Sequence, residues 1–240
     1  MDKGIGFNRT LHLNWLDATA ALCLETDEPA TLRARLDPVV GEHLTGVEAK
    51  RKTIDVLLNI WLKSRELDPA LHEQALHWFQ TSPEPGDRLW LHYGLTLRCY
   101  PFFRECTTVI GQLSRAETTL TNSLVVNRLV NRLGNLGSLE RATQSVLASL
   151  RNWEILKPAE PAHTYTPQRQ VLRASQPALE IWLLTCALKA HPVEEIHFAD
   201  LLNLPALFPF RFSLSAADLR QSPQFEIQRQ GLDFEMVRLG

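Results

Sequence analysis

The chain lacks the features that would announce most chemistries. It has four cysteines, Cys23, Cys99, Cys106 and Cys186, scattered through apolar or helical sequence, with no Cys-x-x-Cys pair. That spacing excludes a disulfide framework or a cysteine zinc site and reads as reduced, buried thiols. No long apolar run is present. The most apolar stretch, 178–190, is too short to cross a bilayer and is bracketed by Glu180 and Lys189. Residues 1–15 are too polar for a secretory h-region, so a cytoplasmic location without a membrane partner is expected. A Gly-rich phosphate loop is missing as well, because Gly4-Ile5-Gly6 has neither the strand-to-helix context nor the lysine. There is no internal repeat and no low-complexity segment. Charge of one sign is also absent: Lys+Arg 25 against Asp+Glu 27 gives a formal charge of −2, which excludes a generic polyanion binder. With 45% hydrophobic and 22% charged residues, the 240-residue chain is ordinary globular protein, long enough for one large domain or two.

Catalytic patterns fail on spacing. His72-Glu73-Gln74-Ala75-Leu76-His77 sets its histidines five apart, whereas a zinc-protease helix needs them four apart to face one metal. Glu48-Ala49-Lys50 imitates the Glu-x-Lys of restriction-type nucleases, but that motif sits on a core strand and this one opens a polar helix. Cys99 with His92 or His77 would make a nucleophile and base, yet its neighbours are aromatic and apolar, and desolvation suppresses a thiolate. The aromatic run 90–103 has only Arg98 and Arg104 beside it, which suits a core rather than a single-strand stacking platform. No catalytic residue, cofactor or metal is expected.

What the chain does have lies between Ser123 and Arg173. In Ser123–Leu133, Val125, Val126, Leu129 and Leu133 share one helical face, and Asn127, Arg128, Asn131 and Arg132 share the other. Gly134-Asn135-Leu136-Gly137 breaks that helix, Leu136 serving as the apolar plug of the turn and Ser138 as N-cap of the next helix. Leu139, Ala142, Val146, Leu150 and Trp153 then recur at helical steps as one buried stripe. The opposite face reads Glu140, Arg141, Gln144, Ala148, Arg151 and Asn152. Residues 153–157 and 163–166 read as two strands around a Pro-bearing tip at 158–161, expected to be mobile. The order is that of a winged helix-turn-helix, whose second helix enters the major groove. Arg matches guanine and Gln adenine, each bonding two adjacent base atoms. The expected DNA-binding residues are therefore Arg141, Gln144, Ala148, Arg151 and Asn152 at or beside the groove, with Arg128, Arg132, Lys157, Arg169 and Arg173 on phosphates; His163, on the ribbon, is also expected to face phosphates. Between 114 and 173 the net charge is +4, leaving −6 elsewhere, a locally basic module on an acidic body.

The remainder reads as helices at 10–24, 31–40, 47–62 and 69–79, the last opened by Asp68 and Pro69, then a loop at 82–87. Two buried helical segments follow in 89–112 around Pro101, and one more apolar helix in 176–190. The tail offers a helical turn at 198–204, a strand at 207–212, and alternating strands at 225–230 and 232–238 on either side of Gly231. The expected fold class is mainly α with small β: an N-terminal helical bundle (1–113), a winged helix-turn-helix (114–175), and a C-terminal helical and β-ribbon extension (176–240).

Three stretches carry a resemblance to a known family: Lys3-Gly4 before an apolar helix with Thr10, Leu11 and Leu13; the basic helix start Ala49-Lys50-Arg51-Lys52-Thr53; and the recognition-helix-and-strand segment Ser138–Leu156. In this layout the chain resembles BrxA, the small accessory protein of BREX phage-defence systems, over its first two-thirds. The tail from Phe208 has no counterpart there. The resemblance implies a non-enzymatic, double-stranded-DNA-binding accessory protein of a prokaryotic antiviral defence operon, working beside other subunits of a defence complex. The other reading is a scaffold subunit whose winged helix packs on a protein partner.

Overall fold

The computed structural model describes residues 5–82, 84–230 and 234–240. The N-terminal half is helical: α1 (Leu13–Cys23), α2 (Pro29–Gly41), α3 (Val47–Trp61), α4 (Ser64–Leu67), α5 (Pro69–Thr81), α6 (Asp87–Cys99) and α7 (Pro101–Leu113). Next come β1 (Leu120–Thr121), α8 (Asn122–Leu133), α9 (Leu139–Asn152), β2 (Leu156–Ala159) and β3 (Thr164–Pro167). The chain ends with α10 (Pro177–Ala190), β4 (Glu195–His197), α11 (Phe198–Leu202), a 3-10 turn at Pro205–Leu207, α12 (Ala216–Gln221), β5 (Phe225–Gln230) and β6 (Phe234–Leu239). The protein is thus mainly α with two small antiparallel sheets, ordered β1-β3-β2 and β4-β6-β5. Among the described residues no helix is long and apolar enough to cross a membrane.

Local chemistry sets the helix limits. Asp68 accepts a bond from the Leu71 N–H at 3.2 Å, and Pro69 occupies the first helical position of α5, where a missing N–H is harmless. Pro101 divides α6 from α7: Tyr100 before it is extended (φ −128°, ψ 93°), as crowding by the proline ring requires. Residues 10–12, expected to be helical, are not, because tertiary bonds hold them. The Leu11 N–H donates to Ser149 Oγ at 2.9 Å, and Trp153 Nε1 donates to the Leu11 carbonyl at 3.2 Å.

Helix α10 is buried on nearly every side and lies against α6. The two approach closely at Gly94, where a Cβ would sit 2.5 Å from the Trp182 ring. On α7, the backbone of the 205–207 turn presses directly on Gly111. Buried polar groups lock these layers. Asp87, 1% exposed, accepts from Ser82 Oγ, from the Ser175 N–H at 3.0 Å and from Ser175 Oγ at 2.5 Å. Glu180, 3% exposed, accepts from the Ser213 N–H at 2.7 Å and its hydroxyl at 2.8 Å. Tyr93 donates its hydroxyl proton to the Ala206 carbonyl. One apolar core runs without a break from Phe7 to Val237.

The strand expected at 207–212 is absent. Pro205 and Pro209 hold φ near −65° and supply no N–H, so the segment makes a 3-10 turn and then one parallel bridge, Leu172 to Phe210. Its aromatics pack on α6 instead, Phe210 lying 4.5 Å and Phe212 5.7 Å from the Trp90 ring. The tail strands pair antiparallel as expected, and β4 joins β6 as a third strand that the sequence reading did not anticipate. Gly231, Leu232 and Asp233 lie outside the described residues, as do Lys3-Gly4 of the resemblance and Pro83 of the 82–87 segment.

Candidate nucleic-acid interface

Helix α8 starts where Thr121 Oγ accepts the Leu124 N–H at 3.2 Å and stops at Gly134, whose φ of 84° turns the chain out of the helix. Val125 and Leu129 are fully buried and Leu136 packs on the core from the turn, so the hydrophobic face and plug are as the periodicity predicts. Ser138 does not cap α9 with its side chain. Its backbone sits at φ −105°, ψ 0°, away from the extended geometry that aims a hydroxyl at the first turn. Glu140 supplies the negative charge favoured there. All five residues of the α9 stripe, Leu139, Ala142, Val146, Leu150 and Trp153, are buried.

The C-terminus of α9 explains why the ribbon starts later than expected. The Ile155 N–H bonds the Leu150 carbonyl at 2.9 Å and the Glu154 N–H bonds Arg151 at 3.0 Å, a Schellman closure. Glu154 takes the left-handed position (φ 59°) where glycine is usual. Residues 153–155 are therefore consumed by the cap, and β2 begins at Leu156. Pro158 lies within β2, an edge strand, where a missing donor is tolerated. The tip falls at 160–163, and β1 completes the sheet on β3 through Leu120–Tyr165 and Thr121–Thr164. Glu154→Gly is expected to stabilise the protein by roughly 0.5 kcal/mol, since relief of the left-handed penalty outweighs glycine's extra unfolded-state entropy. Glu154→Val should instead destabilise by about 1 kcal/mol or more. Urea midpoints of the two variants check the sign.

The ten residues read from the sequence divide by what surrounds them. Arg141 and Gln144 are exposed on the outer face of α9, the Gln144 amide 3.4 Å from the Glu140 carboxylate. Ala148 is half-buried, and Arg151 is exposed near the helix end. Asn152 is half-buried, its amide nitrogen 3.4 Å from His12 Nε2. Arg128, Lys157 and Arg173 are exposed; with Arg141 and Arg151 they make no ion pair among the described residues. Two guanidiniums are engaged internally. Arg132 pairs with Glu105 on α7 at 2.7 Å, and Arg169 donates to the Ser114 carbonyl at 2.8 Å, fastening the exit of β3 to the end of α7. Arg128, Asn131 and Arg132 also line a cleft of about 390 Å³ beside Val109 and Leu113 of α7.

The side chains considered for catalysis lie in other settings. His72 is buried, its Nδ1 2.9 Å from Ser64 Oγ, while His77 is exposed. Glu48 pairs with Arg51 at 2.8 Å and Lys52 at 3.1 Å, and Lys50 pairs with Asp37 at 2.6 Å. Burial pushes the Cys99 thiol up to about 12. His92 is fully buried; its Nδ1 accepts from Trp61 Nε1 at 3.0 Å and its Nε2 lies 3.0 Å from Asp17. Burial lowers its pKa against the raising pull of Asp17. The sequence reading missed His12 and His43, which long-range packing brings to the end of α9 and which no local pattern signals. Set against known protein families, curated proteins and solved structures, the chain matches none of them.

Proposed function

We propose that residues 114–175 form a winged helix-turn-helix and that the protein binds duplex DNA through it, as a non-enzymatic accessory protein of the kind its resemblance to BrxA suggests. The carrying observation is the order α7-β1-α8-α9-β2-β3 with the sheet arranged β1-β3-β2. We read this order as a winged topology, with α9 as the recognition helix and β2-β3 as the wing. Its support is twofold. The apolar stripe of α9 is buried against the body, so the face left for a partner carries Arg141, Gln144 and Arg151. Exposed cations at Arg128, Lys157 and Arg173, without an ion pair among the described residues, supply candidates for phosphate contacts on the first helix, the wing and the segment after it.

In this reading Arg141 and Gln144, one turn apart, reach base edges from the N-terminal half of α9, and the small Ala148 lets the helix approach the groove closely. Phosphate contacts provide most of the affinity. The cleft beside Arg128 favours a second reading, in which the same module packs on a protein subunit; its mixed lining, with Val109, Leu113 and Ala116 beside the Glu117 carboxylate, suits a protein surface better than a phosphate. Salt separates the two. About three phosphate contacts, at Arg128, Lys157 and Arg173, predict that log Kd rises with log salt at a slope of roughly 3. Fluorescence anisotropy of a labelled duplex across a salt series measures it. Absence of binding at low salt would refute the DNA reading.

A further inference from the structure

The segment before α1 is laid against α9 by the two bonds of Leu11, and this brings His12 to the C-terminal end of the outer face. There the His12 ring stacks on that of His43, which comes from the link between α2 and α3. The centroids are 4.9 Å apart and the planes within 4° of parallel. Trp15 of α1 closes the back, 4.4 Å from the His12 ring and 5.8 Å from that of His43. Asn152 of α9 approaches His12 Nε2, and the charged or titratable groups acting on His12 are His43 and Arg151. The segment before α1 thus contributes His12, the α2–α3 link His43, and α9 the Arg151 guanidinium. The only acidic residue beside either histidine in sequence is the exposed Glu42.

Such a cluster is self-opposing in the free protein. Burial, then His43, then Arg151 lower the pKa of His12, so it stays neutral where an isolated imidazole would begin to charge. An anion placed between the imidazoles and the guanidinium reverses that balance. We propose that His12, His43 and Arg151, with Asn152, form a subsite for a backbone phosphate of duplex DNA, and that filling it draws a proton onto His12. The proposal rests on the DNA-binding reading and extends the interface from the winged module onto the N-terminal bundle. The proton comes from solvent, and the charged imidazole and Arg151 then face one phosphodiester oxygen pair.

The test is a titration of the full chain with a labelled, mixed-sequence duplex at fixed ionic strength, from about pH 8 to about pH 6. Wild-type affinity should tighten by about tenfold more over that range than affinity of the His12→Gln/His43→Gln variant. His43 is exposed, so His43→Gln keeps the fold and should by itself flatten much of the pH response. His77→Gln, exposed on α5 and outside the proposed interface, serves as a control that leaves the difference intact. Parallel pH curves for wild type and His43→Gln, with binding still strong, would overturn the subsite while sparing the DNA-binding reading. No binding by wild type at any pH would overturn both.

Discussion

Gly111→Ala is expected to destabilise the protein by about 3–5 kcal/mol, at the upper end of what overpacking does. A Cβ at this position in α7 would lie 1.9 Å from the Pro205 carbonyl oxygen and 2.6 Å from its carbon. Both obstacles are backbone, and the turn they belong to is pinned by the Tyr93 hydroxyl on Ala206 and by the Arg115 guanidinium on the Asn203 carbonyl at 2.7 Å. Alanine's better helix propensity returns only about 1 kcal/mol, so the clash decides the sign. Gly86→Ala is the control: nothing lies within 4 Å of its Cβ and its φ of −62° suits any residue, so it should be neutral or slightly stabilising. Urea midpoints compare the two. A Gly111→Ala midpoint near wild type would mean that the 205–207 turn does not rest on α7 as described.

Asp87→Ala is expected to cost about 3 kcal/mol. The carboxylate is buried and accepts three bonds, one from Ser82 and two from Ser175. Its removal leaves the Ser175 N–H and two hydroxyls without their acceptor. Because Ser175 ends the segment that follows β3, this carboxylate also ties that segment to the start of α6. Ser82→Ala breaks one of the three bonds and should cost about 1 kcal/mol. Equal midpoints for Asp87→Ala and Ser82→Ala would contradict this account of the joint.

Local features carried most of the fold. The 3.6-residue period of Leu139, Ala142, Val146 and Leu150 specifies α9 and its buried face without help from the rest of the chain, and Asp68-Pro69 and Pro101 set helix limits by their own geometry. Pairings between distant segments were not legible. Two-residue β1 has too little pattern to notice, yet it closes the β1-β3-β2 sheet. Residues 10–12 look helical by composition and are kept out of the helix by Ser149 and Trp153, more than a hundred positions away. At 207–212, alternating phenylalanines imitate a strand, but the prolines on either side of Leu207 and Phe208 decide otherwise. The candidate interface followed the same rule. The outward residues of α9 were readable as a helical face, whereas the internal engagement of Arg132 by Glu105 and of Arg169 by Ser114 depends on tertiary neighbours. So does the arrival of His12 and His43 beside Arg151.

The central claim is that the outer face of α9 meets duplex DNA. The most direct measurement compares wild type with a joint Arg141→Ala/Arg151→Ala variant, both shown to be folded by circular dichroism, in one low-salt duplex titration. Both side chains are exposed and make no ion pair among the described residues, so their removal should leave stability nearly unchanged while weakening binding roughly thirtyfold, about 2 kcal/mol. Indistinguishable binding curves would contradict the account.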